Sequence, residues 1–379
     1  MLTGLIFGLI LVAGLANGMI GMPLTLGFLI ITSRTLHWSG EAKILATLIA
    51  LKGGWITGLL LLRGAPAPFS VVLLLSFDCA LLITMLLRRP AVFTAGLSVP
   101  VLLLFVGDFS FNAWTMAFGS DPLGREAFYR PGDVLPRLGG LFSHPFYSIN
   151  ISVVAMLFSL MYWRSLLCKV IFLAAFLNIA SNGSMRGAVL LVVFFGVMFL
   201  LKRRVPFPAL LIACILAAAG VFGITAFSTN YLPPGSGNHY RVFAWKNALS
   251  VVQAHPVTGY GSFQTGEIYA INEDTFQDYG IAESFYLDLA IRYGVFPAIM
   301  HFAILVFVFY ISVRRLYIKG ADESRLRFIR SLFAGVAFVD SFYGTFLGSV
   351  LTSICFGVLQ FTCRAQPETA ITKIPIQSG

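Results

Sequence analysis

FPALLIACILAAAGVFGITAF, residues 207–227, decides the class of fold. The run holds no charged side chain, and about 20 such residues in a helix cross the hydrocarbon core of a bilayer. Lys202, Arg203 and Arg204 stand just before it, and a polar stretch reaching residue 283 follows it. Comparable apolar runs lie near residues 2–16, 20–32, 44–62, 70–87, 91–107, 145–162, 168–181, 187–201, 284–312, 328–344 and 347–362. The prediction is an all-α, polytopic transmembrane helix bundle of roughly 12 segments in a single membrane domain, 1–379. The first two runs are short, and one helix broken at Gly18 to Pro23 is the alternative. Only 11% of the 379 residues are charged. A soluble domain carries about 25%, so water alone could not solvate this surface.

The amino-terminal run has no basic residue before it and no small-x-small cleavage pattern, so it reads as a retained helix. The five cysteines, Cys79, Cys168, Cys214, Cys355 and Cys363, form no CxxC pair and lie in or at the end of apolar runs. They imply neither a disulfide framework nor a zinc site. The net charge of +10 is explained by loop asymmetry, and no nucleic-acid partner is expected.

Orientation follows from counting basic residues in alternate loops. One set holds Arg34, Lys43, Arg88, Arg89, Arg164, Lys169, Lys202, Arg203, Arg204, Arg314, Arg315, Lys319, Arg325, Arg327, Arg330, Arg364 and Lys373. The other holds only Arg63, Arg125, Arg130, Arg137, Arg186, Arg241 and Lys246. The richer set belongs in the cytoplasm, with both termini. The expectation is therefore a multi-pass protein of a bacterial inner membrane. Two outer, periplasmic loops are long: a first loop, 108–144, and a large, partly helical cap loop, 228–283. Residues 363–379 read as a disordered cytoplasmic tail. Long loops in compact proteins are functional or disordered, and the closely spaced aromatics of the second favour a folded cap.

Within that cap, HYRVFAWKNALSVVQAHPVTGYGSF (239–263) has apolar residues at helical spacing from Val242 to Val252, which puts Arg241 at the start of an amphipathic helix. His255-Pro256 ends the helix, and Gly259 and Gly261 make a turn. AESFYLDLAIRYGVFP (282–297) then opens another membrane helix. Upstream, SNGSMRGAVLLVVFF (181–195) places Arg186 at an outer helix boundary.

These three pieces resemble the O-antigen ligase and O-antigen polymerase (Wzy-type) superfamily of membrane glycosyltransferases. The carriers are Ser184-Met185-Arg186; Arg241, Trp245 and His255 to Gly261; and Glu283, Tyr286, Leu287 and Gly294. The resemblance covers residues 180–300, and hydropathy alone extends it. Ligases of the superfamily usually have a His where this chain has Glu283, so a polymerase is favoured.

The resemblance implies a lipid-pyrophosphate-linked oligosaccharide as substrate, with membrane lipid around it and a chain-length regulator as a possible partner protein. Such a donor is already activated. Arginine suits the departing pyrophosphate, because its planar fork binds phosphate oxygens and keeps its charge. A carboxylate suits removal of the acceptor's proton. Arg186 and Arg241 are thus assigned to pyrophosphate and Glu283 to the general base, in a single inverting displacement. Tyr240, Trp245, Lys246, His255, Tyr286 and Arg137 are candidate substrate contacts; for His255 the competing reading is a turn residue. No cofactor or metal is expected: Asp-x-Asp and HExxH are both missing.

Each assignment has a plainer competitor. Arg186 could anchor at the headgroups, Arg241 could be an exposed loop charge, and Glu283 could complement a helix dipole. Two structural ion pairs are expected, Lys52 with Asp78 across mid-membrane and Asp288 with Arg292 along one helix. Asp340 is also intramembrane, with no partner evident, and His144 and His301 receive no role. A ligase moving glycan to a lipid or protein acceptor is the alternative enzyme. A polysaccharide or lipid transporter or flippase is the alternative from another class, and it calls for discontinuous mid-membrane helices.

Overall fold

The computed structural model describes residues 40–63, 90–124, 126, 135–142, 145–183, 185–231, 237–260, 284–317 and 324–343. Among them the chain is helical, apart from turns and one isolated bridge between Ser120 and Glu126. The helices are α1 (Gly40–Leu62), α2 (Pro90–Phe118), α3 (Pro145–Met161), α4 (Leu166–Ala180), α5 (Met185–Lys202), α6 (Phe207–Ser228), α7 (Gly237–Ala254), α8 (Phe285–Tyr293), α9 (Val295–Leu316) and α10 (Ser324–Tyr343). A single 3-10 turn covers Gly140–Phe142.

Four of the described helices are long and apolar enough to cross a membrane: Gly40–Leu62, Ser98–Phe118, Phe207–Ser228 and Val295–Leu316. Tyr147–Met161 and Leu166–Ala180 are shorter apolar helices. The segments expected at 2–16, 20–32, 70–87 and 347–362, and the tail 363–379, lie outside the described residues.

Short turns join α3 to α4, α4 to α5 and α5 to α6, so successive helices run up and down and pack side by side. α3 is buried almost all round, from Ser148 to Ser159. Around it α5, α9 and α10 contribute Phe194, Phe309, Phe333 and Phe338 to one core. The outward faces carry large apolar side chains such as Leu166, Val192 and Leu216. In a membrane those faces meet lipid, where exposing Leu costs nothing. Basic residues gather at one end of the bundle: Lys202 closes α5, and Arg314 and Arg315 close α9. There Arg315 bonds to Glu41, tying the end of α9 to the start of α1.

Three sequence expectations need correction. The first outer loop does not begin at residue 108, because α2 continues to Phe118. Asp108 is fully buried in that helix: it accepts from Ser148 Oγ at 2.6 Å and from the Leu141 amide at 3.0 Å. Asn112, one turn on, donates to Ser148 and Asn178. Polar residues that look like a loop are here satisfying one another inside the bundle. Second, the segment expected at 284–312 is two helices, α8 and α9, parted at Gly294. Third, α7 starts at Gly237, so Arg241 lies in its second turn rather than at its start.

Candidate active site

Several of the candidate side chains lie toward the end of the bundle opposite the basic turns. α5 begins at Met185, directly after the turn Ser181–Gly183, and this puts Arg186 in its first turn. Arg186 is 3% exposed. Its Nε donates to Asp340 Oδ1 at 3.2 Å and its Nη2 to Asp340 Oδ2 at 3.0 Å, with Asn150 Oδ1 at 3.3 Å. The bridge joins the start of α5 to the last turn of α10, with α3 supplying the amide. A headgroup anchor would face outward; this guanidinium faces inward, against a fork-matched carboxylate. Asp340, which the sequence left without a partner, is thereby paired.

Beside Asp340, Ser341 Oγ lies 3.3 Å from the hydroxyl of Tyr286 in the first turn of α8. The ring of Tyr286 packs on Phe302, Phe342 and His301. Glu283, the proposed base, lies outside the described residues. It precedes Tyr286 by three positions in the sequence.

Arg137 reaches this end by a different route. The segment around it is latched to the turn before α5: Gly183 N donates to Pro136 O at 2.9 Å, and Asn182 Nδ2 to Leu138 O at 2.9 Å. A Cβ at Gly183 would lie 1.9 Å from Leu135 O, so only glycine permits this approach. Arg137 is therefore held, 8% exposed, over the turn that leads to Arg186.

α7 supplies Arg241, whose Nη1 donates to Asn238 Oδ1 at 3.3 Å, while Asn238 in turn reaches Ser228 Oγ at the end of α6. Tyr240 precedes Arg241 on the same helix, and Lys246 is exposed on it. Trp245 is packed edge-on against Phe222 of α6, ring centroids 4.4 Å apart. Its task is to seat the cap helix on the bundle. α7 also packs on α8, through Ala244, Ala248 and Ile291. Arg186 and Arg241 thus stand on separate helices, and α8, which touches both α7 and α10, links their surroundings.

His255 is exposed, and its carbonyl accepts the Gly259 amide, closing the turn after α7. Asp288 and Arg292 occupy the first and last turns of α8. Lys52, deep in α1, lies with its Nζ 3.1 Å from His301 Nδ1. Its expected partner Asp78 is outside the described residues. His301 was given no part by the sequence, yet it is fully buried against Lys52, Phe285 and Tyr286.

A buried, carboxylate-held arginine in the first turn of α5 has the charge and donor geometry to meet an anionic group at the bundle's end. The comparison with known families agrees. Residues 167–302 match the O-antigen ligase family model. The match begins in α4 and ends in α9, and so contains Arg186, Arg241, the His255–Gly261 turn, Glu283 and Tyr286. It is consistent with the O-antigen ligase and polymerase superfamily, whose members are enzymes, and supports a membrane function of that type. Lipid-linked oligosaccharide, on which O-antigen ligases act, fits the expected substrate. Asp340 lies beyond the matched residues, as do Arg137 and Lys52. No curated protein matches the chain.

Sequence reasoning left Asp340 unpaired and gave no part to Asn150 or Arg63. The first had a usable signal: an acid within a membrane run needs a cation partner, and Arg186 was the basic residue at the right end. Asn150 and Arg63 carried none.

Proposed function

We propose that this protein is a glycosyltransferase that polymerises undecaprenyl-pyrophosphate-linked repeat units into O-antigen or exopolysaccharide. In this reading it acts at the periplasmic face of a bacterial inner membrane, with both termini cytoplasmic. The observation that carries the reading is Arg186, buried at the end of the bundle opposite the basic turns and gripped by Asp340. A buried charge held in one geometry is a preorganised donor: it need not reorganise when charge grows on the leaving pyrophosphate.

The roles follow from the chemistry. Arg186 and Arg241 bind and neutralise the pyrophosphate, with Arg137 adding a third cation from the latched outer segment. Asp340 is a positioning residue that fixes the guanidinium plane. Glu283 takes the proton of the attacking hydroxyl, and Tyr240, Lys246, His255 and Tyr286 line the approach of the sugar. One displacement inverts the anomeric carbon, and the scheme uses no metal. A chain-length regulator is the expected protein partner.

A ligase is the second reading, favoured by the description of the matching family; Glu283, where ligases carry histidine, favours the polymerase. The experiment that separates them supplies the purified protein in vesicles with lipid-pyrophosphate oligosaccharide. A ladder of regularly spaced products is the expected result. One transfer onto a separate lipid or protein acceptor makes it a ligase, and no transfer to any acceptor overturns both.

A further inference from the structure

α8 is a nine-residue helix that stops inside the bundle, and a helix end leaves its last four carbonyls without intrahelical partners. All four are accounted for here. Ala290 O accepts the Gly294 amide at 2.9 Å, and Ile291 O accepts the Tyr260 amide at 2.6 Å. Arg292 O accepts Arg63 Nη1 at 3.3 Å, and Tyr293 O accepts Trp55 Nε1 at 3.0 Å. Two of the four donors are thus the side chains of Trp55 in α1 and of Arg63 just past its end, a stretch that had no role assigned from sequence here.

Arg63 does more than cap. Its Nη2 also donates to Thr258 O at 2.8 Å and Gly259 O at 2.9 Å, in the turn that follows α7. One guanidinium therefore grips the end of α8 and the end of the cap helix together. The grip is backed by close packing of backbone on backbone. Gly259 and Gly294 have φ of +66° and +86°, and a Cβ on either would lie 2.5 Å from Tyr293 N or 2.0 Å from Val257 O. Val295 N donates to Pro256 O at 2.8 Å across the same seam. Further down α1, Ile56, Leu59 and Leu60 pack on Leu289, Ala290 and Ala298, and Lys52 meets His301. Lys52, Trp55, Ile56, Leu59 and Arg63 recur every three or four residues, so one face of α1 lies along α8, the break and α9.

We infer that α1 is a splint across the broken helix, and that Arg63 is a positioning residue for the transfer reaction. This rests on the proposed function. Arg63 touches no reacting group; it acts by fixing α7, which carries Arg241, against α8, which carries Tyr286 in its first turn. Loss of the fork lets these helices shift while each stays folded. A misplacement of about 1 Å can lower a rate on the order of 10²-fold. Lysine keeps the charge but cannot bridge three carbonyls in fixed geometry.

The test uses full-length protein in vesicles and the variants Arg63→Ala, Arg63→Lys and Arg241→Ala, with the double variant Arg63→Ala/Arg241→Ala. Transfer from lipid-pyrophosphate oligosaccharide is measured per folded molecule, and hydrogen exchange is followed at the Tyr260 and Val295 amides. Both Arg63 variants are expected to lose kcat on the order of 10²-fold with KM little changed. The double variant should be no slower than Arg241→Ala, since Arg63 acts through Arg241's helix. Exchange should quicken at Tyr260 and Val295 and stay as in wild type in α3 and α4. Multiplying losses in the double variant, or wild-type kcat in Arg63→Lys, overturn the positioning role. Unchanged exchange in Arg63→Ala overturns the splint itself. Quickened exchange in a protein that transfers no glycan supports the splint and sinks the glycosyltransferase reading alone.

Discussion

Arg186 and Asp340 are 154 positions apart in the chain, yet each satisfies the other across two helices. Their value depends on being a pair. Two opposite charges deep in a bundle repay their desolvation only with fork-like geometry and further hydrogen bonds, which Asn150 helps to supply. Removing one partner strands the other: Asp340→Ala is expected to cost about 3–5 kcal/mol and to abolish transfer. Asp340→Asn keeps an oxygen acceptor and loses the charge, so it should sit between wild type and alanine in both respects. Thermal melting in detergent and product ladders check this order. An alanine variant that melts with wild type would mean that the pair contributes nothing to the fold. Sequence reading assigned Arg186 a role and left Asp340 without a partner, because a pair so distant leaves no trace in local spacing.

Among the elements, what was legible was what repeats along the chain. α1, α3 and α6 follow from their apolar runs within a few residues, because composition alone decides whether a helix can stand in lipid. α2 was cut short at residue 107 since Asp108 and Asn112 look like water-facing groups until Ser148 and Asn178 appear beside them. The break at Gly294 left a weaker mark. A glycine between two apolar stretches is tolerated in membrane helices, and only the Trp55 and Arg63 donors reveal that this one ends a helix. The segment 135–142 was invisible as structure, for its order comes from two hydrogen bonds to the turn before α5, one with the Gly183 amide and one with the Asn182 side chain. Gly183 is their weak point. Gly183→Ala should lift Leu135–Leu138 off that turn, speeding proteolysis within 135–142 and raising KM for the lipid-linked donor as Arg137 moves away. The bundle itself should lose only about 1–3 kcal/mol. Unaltered proteolysis and KM would show that the latch does not hold Arg137 in place.

For the whole molecule, scarcity of charge gave the membrane class at once, and the same scarcity makes the remaining charges informative. At one end they are basic and exposed, which fits cytoplasmic loops. At the other, Arg186 pairs with Asp340 and Tyr286 meets Ser341 among buried helix ends, with Arg137 held at the turn before α5. Arg186 bridged to Asp340, where α5 begins and α10 ends, describes an anion site better than a transport path along the bundle. The central claim is that Arg186 is retained for chemistry and not for stability, and replacing both partners tests it directly. In Arg186→Met/Asp340→Leu the buried charges give way to apolar side chains of similar size, a change that is neutral or stabilising in other buried pairs. Transfer from lipid-pyrophosphate oligosaccharide by this double variant is the measurement. Our account predicts a melting temperature at or above that of wild type with transfer lost; wild-type transfer from the same well-folded protein would contradict it.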